Sequence, residues 1–241
     1  MSKNLESPHV NGVPNWGSLY RARGDEVLPS RPILTGDIFA GLPLSGEAGT
    51  VKARFVMVLQ HPCAMRTDGV SLNWQLLVAE VTKRKEFGEA DWADGNYSLM
   101  PLPELRPEVT TQARHQAASF DNLYLVSPAA LNAGRRIACL SPFGMNLLLQ
   151  RWVHYSSRVV VPTSVFQQQT EGSFEECDLI EEWCDASNAS DPLVAAGECM
   201  RWLRANRNGT SYQDMLKDPQ TRSTVRKALR AELKGRMAGA V

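Results

Sequence analysis

Two chemically reactive side chains follow the most apolar short stretch of the chain. The segment Arg54 to Cys63 reads RFVMVLQHPC, and its end carries His61 and Cys63. A cysteine thiolate becomes a nucleophile when a histidine serves as its base, so these residues are candidates for a Cys-dependent hydrolase. The base and its orienting group would have to come from elsewhere, where His115 and His154 are available. The alternatives are that His61 ligates a metal, or that Cys63 packs as a small apolar side chain while His61 closes the strand.

Three other cysteines, Cys177, Cys184 and Cys199, fall where helices are predicted. Cys177 and Cys184 are seven residues apart, which places them on one face of a helix. A structural zinc site needs four ligands, usually in close pairs, and the chain has neither a Cys-x-x-Cys nor a His-x-x-x-His pair. We therefore expect buried thiols rather than a metal site, and we expect no cofactor.

A basic stripe recurs every four residues near the end of the chain, at Arg222, Arg226, Arg230 and Lys234. This spacing lines the four side chains along one face of a helix, where they could bind the phosphates of RNA or DNA. Residues 171–198 carry nine acidic side chains and no Lys or Arg, whereas residues 199–241 carry ten Lys or Arg and three acidic residues. The alternative is therefore that the basic helix pairs with the acidic one or is simply solvated.

The elements that position these residues can be predicted from apolar runs and punctuation. Phe55 to Leu59 is an unbroken apolar run typical of a strand buried on both faces, and Pro62 ends it. Further runs predict strands at 33–39, 72–82, 97–102, 122–126, 137–140 and 158–161. Ser127-Pro128 and Ser141-Pro142 each predict a helix start, with serine as the N-cap and proline at the first helical position.

Beyond Pro162 the pattern changes to helices alone. Ser173 to Glu176 matches a capping box, and Asp191-Pro192 predicts a second helix start. The helix through Gln150, Arg151 and Arg158 is expected to cover the sheet, with both arginines in ion pairs.

These elements predict an α+β protein with three parts. Residues 1–32 form an irregular N-terminal arm, residues 33–162 form a β-rich domain with inserted helices, and residues 163–241 form an all-helical C-terminal region. The β-rich domain is expected to be a small, strongly bent barrel or half-barrel.

Gly36-Asp37-Ile38-Phe39, followed by a turn-rich loop and the apolar strand up to Gln60, resembles the opening of the MazF/PemK-like family. The resemblance covers residues 34–60 and implies a small SH3-like barrel, with mRNA cleavage by a toxin or a relative of it. Where the family has Arg-Pro at the end of the loop, this chain has Arg54-Phe55, so Arg54 is the residue that corresponds.

Composition limits the remaining function classes. The chain has 241 residues, is 43% hydrophobic and carries no net charge. The five cysteines and the polar N-terminus predict a cytoplasmic protein with reduced thiols and no membrane association. No Walker loop, dinucleotide fingerprint or nucleophile elbow is present.

The sequence therefore supports three hypotheses about function. The first is a cytoplasmic nucleic-acid-associated module, non-catalytic or degenerate, in a toxin-antitoxin or phage-defence setting. The second is an enzyme, either a ribonuclease of the MazF/PemK-like type or a Cys-dependent hydrolase, with Arg54, His61 and Cys63 as its candidate residues. The third is an adaptor whose helical region binds a protein partner or a second copy of the chain.

Overall fold

A computed structural model describes residues 4–45, 50–66, 70–106, 108–109, 115–187, 191–207 and 209–238, with only the backbone of Met237 and Ala238. The strands within these ranges are β1 (His9–Val10), β2 (Val13–Pro14), β3 (Tyr20–Arg23), β4 (Ile38–Ser45), β5 (Val51–Val58), β6 (Leu76–Lys83), β7 (Leu99–Leu102), β8 (Gln116–Val126) and β9 (Arg135–Leu140). The helices are α1 (Glu89–Ala93), α2 (Pro128–Ala133), α3 (Pro142–Ser157), α4 (Thr163–Ser187), α5 (Pro192–Arg204), α6 (Tyr212–Met215) and α7 (Arg222–Ala238).

Seven of these strands form one antiparallel sheet in the order β3-β9-β4-β5-β6-β8-β7. The chain is thus a mixed α+β protein with a large antiparallel sheet and several helices, which confirms the predicted class in this coarse form. The two outer strands, β3 and β7, each pair on one side only among the described residues, so the described strands form no closed barrel. The SH3-like form of the barrel stays a prediction.

The chain divides into two compact units. Unit 1 comprises Met1–Val27, Leu34–Met65 and Leu72–Gln167, and it contains the sheet and helices α1 to α3. Unit 2 comprises Leu28–Ile33, Arg66–Ser71 and Gln168–Val241, and it contains most of α4 and helices α5 to α7.

Unit 1 is built around the apolar half of β5. Val56, Met57 and Val58 are fully buried, as the continuous apolar run predicted. Met57 belongs to a core that also includes Phe120 of β8 and Leu147 and Leu148 of α3. The strand register shifts between Phe39 and Leu42 in β4 and at the Ala79–Glu80 step of β6, and irregularities of this kind bend the strand that carries them.

The first turn of α3 lies directly against the chain that precedes β3. Ser141 caps the helix as predicted, because its Oγ accepts a hydrogen bond from the Gly144 N–H at 3.0 Å. The Ser141 N–H donates to the Leu19 carbonyl at 2.9 Å, and the Ser141 hydroxyl donates to the Ser18 carbonyl. Gly144 is so close that a Cβ added there would lie 2.2 Å from the Leu19 oxygen. Only glycine permits this approach.

Arg151 of α3 is fully buried, and the prediction that it forms an ion pair is wrong. Its guanidinium instead donates to four backbone carbonyls, those of Trp92, Gly95, Asn96 and Leu99, at 2.7 to 3.2 Å. Burial lowers the pKa of Arg151 to about 10, so the group stays charged at neutral pH. One side chain therefore ties the end of α1, the turn after it and the start of β7 to the helix.

Several strand predictions are wrong. Of the strand predicted at 33–39, only Ile38 and Phe39 belong to a strand, because β4 begins at Ile38 and continues to Ser45. Residues 158–161 form no strand, because Arg158 takes a left-handed conformation that ends α3 and Thr163 already begins α4. The start of α4 is fixed by Glu6, whose carboxylate accepts from the Thr163 N–H at 2.8 Å and from its hydroxyl at 2.6 Å. Conversely, β3 lies in the segment that was predicted to be irregular, with Tyr20 and Ala22 buried.

Unit 2 packs its helices around Ile180, Trp183, Cys199, Val225 and Leu229, which are fully buried. The predicted N-cap at Asp191 is confirmed, since its carboxylate accepts from the Leu193 and Val194 N–H groups. The predicted helix start at Ser173 is wrong, because α4 runs through this position without a break.

Candidate nucleic-acid interface

Two neighbouring cavities open on the sheet of unit 1, each of about 370 Å³. They share Phe55 and Arg106 among their walls, and we call them together the basic groove. The first cavity is lined by Lys52, Ala53, Arg54, Phe55, Glu80, Val81, Lys83, Arg106 and Gln116. The second is lined by Gly24, Ala40, Gly41, Phe55, Leu105, Arg106, Glu108, Arg135 and Ile137.

The lining of the groove carries an excess of positive charge. Five cationic side chains, Lys52, Arg54, Lys83, Arg106 and Arg135, face two acidic ones, which leaves a net charge of +3. Lys52, Lys83 and Arg135 are exposed, and none of the three has an ion pair among the described residues. Among the described residues these three side chains therefore have no ion pair to break before they meet an anion, although Arg135 interacts electrostatically with Glu108.

The other two cations already have carboxylate partners. Arg106 donates to Glu108 at 2.9 Å, and both side chains are well exposed. The pKa of Glu108 is lowered, first by a backbone hydrogen bond and then by Arg106, with a smaller effect of Arg135. Arg54 on β5 pairs with Glu80 on the adjacent β6, and this hydrogen bond raises the pKa of Arg54.

Phe55 supplies an aromatic side chain to both cavities. It is half-buried, packs against the core of unit 1 on one side and lines the groove on the other. Proteins that bind single-stranded nucleic acids combine cations that follow the backbone with aromatic rings on which bases stack. Phe55 follows Arg54 on β5, and side chains alternate along a strand, so the ring lies on the face of the sheet opposite to the Arg54–Glu80 ion pair.

The basic stripe on α7 has a different environment. Arg222 pairs with Glu171 at 2.8 Å, Arg226 pairs with Glu175, and Arg230 pairs with Glu182 at 2.8 Å. Lys234 is exposed and has no ion pair among the described residues. The structure thus places three of the four stripe residues in ion pairs with the acidic helix α4, as the alternative in the sequence analysis described. The binding of phosphates by the stripe stays a prediction.

His61 and Cys63 meet through the backbone. They flank the start of a short 3-10 turn over Pro62–Ala64, where His61 Nδ1 accepts a hydrogen bond from the Cys63 N–H at 3.3 Å. Burial lowers the pKa of His61, and Cys63 is exposed. Neither residue lines the basic groove, where Arg54 lies. Of the other histidines, His115 lies 3.7 Å from Glu86, and His154 packs edge-on against the ring of Tyr97.

The exposure of the cysteines leads to a labelling prediction. Cys63 should react with iodoacetamide at pH 8 much faster than Cys139, Cys177, Cys184 and Cys199, all of which are buried. Burial raises the pKa of Cys184 to about 11 and also raises that of Cys199, so both remain as unreactive thiols at this pH. Mass spectrometry should find one fast label on the native protein and five after denaturation. Fast labelling of a second cysteine in the native protein would contradict the packing described for unit 2 or for β9.

The part of the chain that the structure describes offers neither a metal site nor a membrane-spanning helix. There, no three His, Cys, Asp or Glu side chains come close enough together to hold a metal ion. No helix in the same residues combines the length and apolar character that crossing a bilayer requires.

No protein-family model matches the chain, and no curated protein matches it either. The resemblance to the MazF/PemK-like family therefore stays a prediction.

Most of the groove was missed by the sequence analysis, which named Arg54 alone. Lys52 and Arg54 lie on β5, Lys83 ends β6, and Arg135 begins β9. Because these residues come from strands far apart in the sequence, they have no common spacing. The only local signal was the position of Lys52 and Arg54 at the polar end of an otherwise apolar strand.

Proposed function

We propose that the chain is a nucleic-acid-associated protein that binds phosphates in the basic groove of unit 1. The observation that carries the proposal is the excess positive charge of the groove, together with the three cations that have no described partner. The MazF/PemK-like relationship, with its SH3-like barrel, cytoplasmic location and toxin or phage-defence setting, belongs to the same hypothesis.

The chemistry of the groove supports a backbone-binding role. Lysine offers a mobile point charge, whereas arginine offers a planar fork that matches two phosphate oxygens. Each phosphate that is neutralised releases condensed counterions, so binding of this kind weakens steeply as salt is added. A cavity of about 370 Å³ is within the size range of small-ligand pockets, and Phe55 gives it an apolar, aromatic wall.

The basic groove and the basic stripe differ in the partners that their cations already have. To meet a phosphate, Arg222, Arg226 and Arg230 would first have to give up their glutamate partners on α4. Lys52, Lys83 and Arg135 would break no ion pair among the described residues when they meet a phosphate. The groove is therefore the better phosphate-binding candidate of the two basic surfaces.

A variant that neutralises the groove tests the proposal. We expect the triple change Lys52→Gln, Lys83→Gln and Arg135→Gln to weaken binding of labelled 20-nucleotide RNA and DNA. If each of the three cations meets one phosphate, the slope of log K against log salt should fall by about 2 to 3. Fluorescence anisotropy over a range of salt concentrations measures both quantities.

The basic stripe provides the matched control. Changing Arg222, Arg226, Arg230 and Lys234 to Gln removes four charges, one more than the groove variant. It should lower the melting temperature, because Arg222 and Glu175 are largely buried and their ion pairs would be lost, and it should leave the salt slope unchanged. The opposite pattern, with the slope altered only by the stripe variant, would transfer the function to α7. Unchanged binding in both variants would refute the proposal.

One observation keeps a catalytic alternative in view. Arg54, the residue that corresponds to the arginine of the MazF/PemK-like family, lines the groove. A ribonuclease of that type would cleave the labelled RNA during the binding experiment, and intact RNA after long incubation would exclude it under those conditions. For a Cys-dependent hydrolase, His61 offers only a contact to the Cys63 backbone. The adaptor role of the helical region stays a prediction.

A further inference from the structure

The ion pair between Arg54 and Glu80 is unusual among the charges of the groove, because its carboxylate is buried. Glu80 is 8% exposed, whereas Arg54 is half-buried and reaches the cavity wall. In the described structure the guanidinium makes its hydrogen bond through Nη1 alone, and Nε is buried without a hydrogen-bond partner. The fork of Arg54 is therefore only partly used.

A carboxylate and a phosphate compete for the same donors on arginine. Both are anions with two oxygens that match the guanidinium fork, and both bind it with charge-assisted hydrogen bonds. A phosphate entering the cavity must share Arg54 with Glu80 or displace it. Because Glu80 is buried on β6, which is paired on both sides by β5 and β8, it cannot move away with the ease of an exposed side chain.

We infer that Glu80 is a built-in competitor that restrains nucleic-acid binding at Arg54. This inference rests on the proposed function of the groove, and it assigns to Glu80 the role of setting the affinity of that site. In the free protein, Glu80 occupies Arg54 and lowers the positive potential of the cavity. Removing its charge makes Arg54 available as an additional phosphate contact.

The test compares Glu80→Gln with the wild-type full-length chain, using the same labelled RNA and DNA. The variant should bind more tightly and show a salt slope steeper by about 0.7 to 0.9, equivalent to one additional phosphate contact. Its affinity relative to wild type should then change by about threefold between roughly 50 and 200 mM salt. Unchanged or weaker binding by the folded variant would overturn the inference.

Two further variants identify the cause of any increase in nucleic-acid affinity. Glu89→Gln makes the same change in net charge at an exposed position of α1 outside the groove, and it should leave the slope unchanged. The double variant Arg54→Gln and Glu80→Gln should lose the gain, because the contact depends on Arg54. An equal gain in Glu89→Gln, or a gain that persists in the double variant, would refute the role of Glu80.

Failure of the inference is distinguishable from failure of the proposed function. If the groove variant weakens binding but Glu80→Gln does not strengthen it, only the inference fails; if neither alters binding, both fail. Should Glu80→Gln not fold, Glu80→Asp keeps the charge but shortens its reach toward Arg54. Glu80→Asp should then bind the labelled RNA and DNA more tightly than the wild type does, and unchanged or weaker binding would overturn the inference.

Discussion

Replacing Arg151 by methionine is expected to lower the free energy of unfolding by about 4 kcal/mol or more. Methionine fills much of the space but donates no hydrogen bond, so the carbonyls of Trp92, Gly95, Asn96 and Leu99 all lose their guanidinium donor. For a chain of this size the loss corresponds to a decrease in melting temperature of about 10 °C. Circular dichroism during heating measures the change.

Arg158→Met is the matched control. Arg158 follows the same helix, but its side chain is exposed, so the same substitution should alter stability by about 0.5 kcal/mol or less. A similar loss in both variants would show that removal of an arginine from this region matters in general. It would contradict the specific role assigned to the buried guanidinium.

Gly144→Ala should destabilise the protein although alanine is the better helix former. The added methyl carbon would lie 2.2 Å from the Leu19 carbonyl oxygen, so the first turn of α3 would have to move away from residues 18 and 19. That movement also strains the hydrogen bond from the Ser141 N–H to Leu19. Forced overpacking of this kind costs about 2 to 3 kcal/mol, which chemical denaturation can measure.

Gly235→Ala should have the opposite effect. Gly235 lies on the exposed side of α7, and a Cβ built there meets no atom within 4 Å. The substitution should therefore stabilise the protein by about 0.5 to 1 kcal/mol through helix propensity. Destabilisation of both variants would indicate that the prediction for Gly144 has the wrong cause.

The features that sequence analysis identified correctly are local ones. Ser141 and Asp191 cap their helices as predicted, because an N-cap depends on the next two or three residues. The buried half of β5 was equally clear, since a continuous apolar run can be satisfied only in a core. Each of these signals is contained within a few consecutive residues.

The features that it missed depend on distant partners. Strand β3 has only four residues, and its partner β9 lies more than a hundred residues later, so the segment by itself carries little pattern. Arg151 was expected in an ion pair because the helix was read as amphipathic, with its polar residues on the exposed face. Its real partners are backbone carbonyls between Trp92 and Leu99, more than fifty residues earlier, and carbonyls have no sequence signature.

The series of ion pairs between α4 and α7 specifies how the two helices align along their length. Arg222, Arg226 and Arg230 follow one another along α7, and they pair with Glu171, Glu175 and Glu182 in the same order along α4. The two helices therefore run in parallel. Sliding α7 by one turn toward the end of α4 would place Arg226 near Leu179, which is buried, and Arg230 near Ala186. That shift would therefore leave only Arg222 beside a glutamate, Glu175, and would lose the other two ion pairs. The ion pairs thus disfavour a slip of α7 toward the end of α4, and they can do so even where each contributes little to stability.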